Sequence, residues 1–86
     1  MARKEKLLNR IRNNPKQVRF EDVDKIMRQC GFEERHDASH YVYSHPQVAG
    51  VVTIVRPHGK GGTQFVAPFY IKRALEAIDE IEEQAL

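Results

Sequence analysis

His36, His40, His45 and His58 are the side chains of this 86-residue chain best suited to moving a proton near neutral pH. His40 stands out by context, because Ala38-Ser39-His40 opens a stretch rich in aromatic and branched residues. Metal binding is the competing use of three clustered imidazoles. Residues 40 and 45 differ by an odd number, however, so on a strand they point to opposite faces. No carboxylate or cysteine has a recognisable ligand spacing either, and no metal ligands are assigned. Cys30 is the only cysteine, which excludes an internal disulfide. It falls in register with Val23, Ile26 and Met27 on a helical stripe and reads as a small core hydrophobe. The run Arg56-Pro57-His58-Gly59-Lys60-Gly61-Gly62-Thr63 must be an exposed loop, with three glycines and a proline. Its backbone donors and lysine suit a phosphate, with Arg56, His58 and Lys60 as the contacts, although it is not a Walker loop and a plain turn explains the glycines equally well.

The elements that must position these residues follow from periodicity and breakers. Arg3 to Asn13 reads as a short basic helix with a narrow seam of Leu7, Leu8 and Ile11, ended by Asn13-Asn14-Pro15. Such a helix should lie on the surface and fray. A second helix is expected from about Glu21 to Cys30, with Glu21, Asp22 and Asp24 near its positive end and Gly31 closing it. Strands are expected over Phe32 to Asp37 and Ser39 to His45. A third, Val51 to Val55, is apolar almost throughout and should be central or well covered. Pro68 suits the first turn of a last helix whose face is Ile71, Ala74, Leu75, Ile78 and Ile81. The order is α-α-β-β-β-α in one domain, 1–86, and the simplest account is an α+β fold.

Apolar residues make up 41% and charged residues 30% of the chain, a balance suited to a globular domain. No apolar run approaches the length of a membrane span, and the first residues lack the apolar stretch of a secretory signal, so a cytoplasmic protein is expected. Net charge is only +2, yet residues 1–19 carry seven basic side chains and one acidic, while residues 74–86 carry five acidic and none basic. A basic segment can draw in phosphate backbones. A solvated helix face would carry the same charges.

Taken in order, a helix, Gly31-Phe32, a charged strand, Ala38-Ser39-His40, an aromatic strand, an apolar strand, Pro57-His58-Gly59 and a helix resemble the HicA family of toxins. The resemblance covers roughly residues 18–81, the family core, and leaves an additional N-terminal helix, 1–14, outside it. It implies a fold like the double-stranded RNA-binding domain, with helices on one face of a three-stranded antiparallel sheet. It also implies a type II toxin that cleaves messenger RNA and is held by an antitoxin of the HicB type. The family hallmark is Gly-Ser-His with the histidine catalytic, which here falls on Ala38, Ser39 and His40. If the glycine position requires a positive φ, alanine strains it by about 1 kcal/mol.

RNA carries its own nucleophile in the 2′-hydroxyl, so one histidine with charge stabilisation suffices, and no metal or cofactor is needed. One such side chain contributes about 10² to 10⁴-fold, which predicts a slow enzyme. The assignment is His40 as base or acid, Ser39 orienting it or the phosphate, and Arg56, His58, Lys60, Arg35 and Lys72 as basic RNA contacts. Tyr41 and Tyr43 could stack on bases, but in so small a domain they are expected to pack on helices with their hydroxyls at the edge. Two other readings stand beside this one. A non-catalytic RNA-binding module of the same fold is the first. The second is an interaction domain whose acidic segment Glu76 to Glu83, opposed to its helix dipole, is ordered by a partner or by a mate in a homodimer.

Overall fold

Apolar spacing, two prolines and a glycine cut the chain into its elements. In the computed structural model, which describes residues 2–57 and 64–84, with side chains for 5–57 and 64–83, three helices pack with one sheet. Helix α1 spans Ala2–Asn13 and α2 spans Phe20–Gln29. Strands β1 (Glu33–Asp37), β2 (His40–Ser44) and β3 (Val52–Val55) follow, and α3 spans Pro68–Gln84. The α+β class and the order α-α-β-β-β-α are those expected.

Helix α2 ends in a Schellman motif. Gly31, at φ +91°, donates its N–H to the carbonyl of Arg28, and Phe32 donates to that of Met27 at 3.1 Å. Cys30 is therefore the cap and not the last turn, half-buried against the core. Phe32 is buried beyond it, so the motif aims the chain into β1.

The sheet is antiparallel with spatial order β1-β2-β3. β2 is thus the central strand and β3 an edge, so of the two explanations its apolar run allowed, a central place or good cover, the second holds. That run reflects cover by α3: Val52 and Ile54 are fully buried, while Thr53 and Val55 are half-buried on the other face. Core residues Tyr43, Val52 and Ile54 meet Val23, Ile26 and Met27 of α2 and Ile71, Ala74, Ala77 and Ile78 of α3 in one cluster. Ala77 joins this face where Leu75 was expected, and Leu75 is only half-buried.

Helix α1 is not a loosely held surface helix. Leu8 and Ile11 are 5% and 2% exposed, and Arg12 donates to Asp79 of α3 at 2.6 Å. A seam of two well-buried side chains is enough when a far element closes over it. The same pairing, extended to Glu82 at 3.4 Å, partly neutralises the acidic segment of α3. No described helix is long and apolar enough to cross a membrane.

Candidate functional site

Asp37 and His40 face each other across the β1–β2 ladder, which leaves Ala38 and Ser39 as a two-residue turn. Ala38 has φ +55° and, among the described residues, is the only non-glycine with a positive φ. Left-handed backbone confined to the first loop residue is the pattern of a type II′ turn, where glycine is normal. The turn is tied to the end of β3, because the N–H of Arg56 donates to the carbonyl of Ser39 at 2.8 Å. A tight turn, a ladder on one side and this bond on the other fix where β2 begins and hence where His40 stands.

Alternation then sorts the strands. Glu34 and His36 share the helix-covered face with Tyr41, Tyr43, Val52 and Ile54, by register. Arg35, Asp37, His40, Val42, Thr53 and Val55 share the other face, where every residue is exposed or half-buried. Arg35 pairs with Val42, which puts it diagonal to His40 across the ladder, within reach of a long side chain. The His40 side chain is exposed and makes no hydrogen bond or ion pair among the described residues. Ser39, beside it in the turn, is half-buried.

The other described histidines are committed. Nδ1 of His36 lies 2.9 Å from Glu34, and its ring stacks on Tyr41 with centroids 4.6 Å apart. Nδ1 of His45 accepts the backbone N–H of Gln47 at 3.0 Å, and its ring packs on Phe32 at 5.1 Å. Behind them runs a polar network: Tyr43 donates its hydroxyl to Asp24 at 2.6 Å, Asp24 accepts from Arg28, and Arg28 reaches Glu34 at 2.6 Å. Burial, then the bond to Asp24, pushes the Tyr43 phenol well above its ordinary pKa. Hydrogen bonds to Asp24 and Asp79 likewise raise the pKa values of Arg28 and Arg12.

Tyr43 is therefore core, as expected, and the half-buried Tyr41 packs against Phe20, ring centroids 4.5 Å apart, and stacks on His36.

The expected basic contacts do not all converge. Arg35 shares the face of His40. Arg56 is joined to the turn by its backbone, but its side chain goes to the helical layer, 4.9 Å over the Phe20 ring and 3.2 Å from Glu21. Hydrogen bonding and electrostatic attraction to Tyr41, then the charge of Glu21, hold its pKa above the usual value. Lys72 lines a groove on α3 and is not brought to His40's face. His58 and Lys60 lie outside the described residues.

Asp37, directly opposite His40, is the site residue that residue-by-residue reading missed. Its signal was the two-residue turn, which fixes the pairing once strand ends are known. Among the described residues no group of three or more His, Cys, Asp or Glu is placed to hold a metal ion. Comparison with protein-family profiles, curated proteins and solved structures finds no match for this chain.

Proposed function

We propose that this chain is a metal-independent endoribonuclease of the HicA toxin kind, cutting messenger RNA in the cytoplasm, with His40 as its proton-transfer residue. The observation that carries the reading is the contrast among the described histidines: His36 and His45 are held by partners, while His40 stands exposed and unpartnered on the open sheet face. An imidazole that must exchange a proton with a ligand has to be left available in this way.

In this reading His40 takes the proton of the 2′-hydroxyl, whose oxygen attacks the adjacent phosphorus. The bond to the 5′-oxygen breaks, that oxygen receives a proton, and a 2′,3′-cyclic phosphate remains on the upstream fragment. Arg35 supplies positive charge for the phosphate, and the Ser39 hydroxyl orients it or His40. In this reading Asp37, the cross-strand neighbour of His40, orients the imidazole only once RNA is bound. The chain leaves β3 at Arg56, whose N–H donates to Ser39, and His58 and Lys60, the next basic residues in sequence, are kept as RNA contacts in this reading. A HicB-type antitoxin is the partner this function requires. A non-catalytic RNA-binding module is the second reading, and it is favoured by Ala38, whose strained backbone stands where the family has glycine.

The test is incubation of the purified protein with a structured transcript in the presence of chelator, with end-group analysis, beside His40→Ala. Cleavage leaving cyclic phosphate, lost in a folded His40→Ala, is the expected result. Equal cleavage by both proteins removes His40 from the chemistry, and tight RNA binding without cleavage by the wild type selects the second reading.

A further inference from the structure

Phe69, in the first turn of α3, is 66% exposed, the most exposed large apolar side chain among the described residues. It borders a groove of about 570 Å³ floored by Pro15, Pro68 and Leu75 and bounded at its far end by the Arg12–Asp79 pair. Lys72 and Glu76 stand on its rim, both exposed and both without a hydrogen bond or ion pair among the described residues. Their neighbours differ: Asp79 and Glu82 are paired with Arg12, and Glu80 with Arg73. An apolar knob and an apolar groove thus share one face with charges unpaired among the described residues: Lys72 and Glu76 on the rim, Lys16 across the groove in the segment before α2, and Glu83 two turns further along α3.

We propose that this face is the interface of a two-fold homodimer in which α3 packs antiparallel to α3 of a second copy. Charge order selects a second copy as the occupant. Lysine four residues before glutamate is the weaker arrangement within one helix, which leaves both charges to an outside partner. A two-fold axis at the height of Ala74, on the helix face opposite that buried residue, sets Lys72 of one copy against Glu76 of the other and closes the mirror pair at the same time, the two positions being about 6 Å apart along the helix.

The same axis carries Phe69 to the Arg12–Asp79 end of the partner's groove, where its ring meets Leu75 and the guanidinium of Arg12. Knob and groove lie on one face, so the contact is isologous and closes as a dimer instead of growing into a filament. The face lies in the helical layer and leaves His40's face of the sheet open, so dimerisation is independent of the proposed cleavage.

Sedimentation equilibrium or light scattering from micromolar to millimolar concentration tests this. The wild type should pass from 10.0 kDa to twice that mass. Phe69→Glu should remain monomeric, its fold checked by circular dichroism. Lys72→Glu alone and Glu76→Lys alone each place like charges at two symmetry-related contacts, and each should raise the dissociation constant about tenfold. The double variant Lys72→Glu/Glu76→Lys should regain the wild-type constant. A wild type that stays monomeric at millimolar concentration overturns the proposal, and so does a Phe69→Glu variant of unchanged mass. Failure of the double variant to recover overturns the antiparallel register.

Discussion

His36 and His40 lie on either side of one two-residue turn, at the same end of the same hairpin, and the structure treats them oppositely. His36 falls on the helix-covered face, where Tyr41 takes its ring and Glu34 its Nδ1. His40 falls on the open face, across from Asp37 and diagonal to Arg35, with its ring uncommitted. The difference is one of parity: a strand alternates its faces, so neighbouring positions can serve stability and chemistry separately. A histidine bound to a carboxylate and stacked on a tyrosine is held in one place, and a histidine that must meet a substrate has to be left out of such a network.

The largest expected effect tests that division directly. His40→Ala should lower RNA cleavage by about 10² to 10⁴-fold while leaving the unfolding midpoint in urea unchanged. His36→Ala should do the reverse, keeping cleavage within a few-fold and lowering stability by about 0.5–1 kcal/mol through the lost ring stack and exposed hydrogen bond. If the two variants exchange roles, the covered face holds the chemistry and the assignment of His40 is wrong.

The network behind His36 offers a second contrast, read through pH. The Tyr43 phenol has its pKa raised on folding, chiefly by burial and then by the bond to Asp24. A group that is neutral in the fold and ionises more readily when unfolded contributes stability that is full below its unfolded pKa of about 10. That contribution falls away as pH rises above this value. Tyr43→Phe should cost about 1 kcal/mol at neutral pH through the lost hydrogen bond, and its unfolding free energy should decline less steeply than the wild type's between neutral and strongly alkaline pH. Parallel declines would mean that Tyr43 does not set the alkaline limit.

How much of this was legible depended on whether a residue's partners were local. Val23, Ile26 and Met27 could be placed on a buried stripe from their spacing, and Gly31 as the helix terminator, because both are decided within one or two turns of helix. The opposite faces of His40 and Tyr41 follow from alternation. The depth of α1 did not follow, since it depends on Arg12 reaching Asp79, 67 residues away in sequence. Nor did the direction of Arg56, whose guanidinium is drawn to Phe20 and Glu21 of a distant helix. The edge position of β3 was hidden because cover by α3 and central placement in a sheet leave the same apolar run.

Ala38 gives the smallest effect and the finest test of how the open face is built. At φ +55° an alanine is strained by about 1–2 kcal/mol, whereas glycine accepts that backbone freely. Glycine also loses more freedom on folding, which offsets about 0.4–1 kcal/mol of the relief. Ala38→Gly should therefore stabilise the protein by about 0.5 kcal/mol, a rise of roughly 2–4 °C in Tm for a domain of this size. The informative quantity is whether cleavage moves with it. If the strain bends the turn away from the arrangement His40 needs, relieving it raises the cleavage rate together with Tm. If the ladder pair Asp37–His40 and the bond from Arg56 to Ser39 already fix the start of β2, Tm rises alone, and His40 is held by its strand and not by its turn.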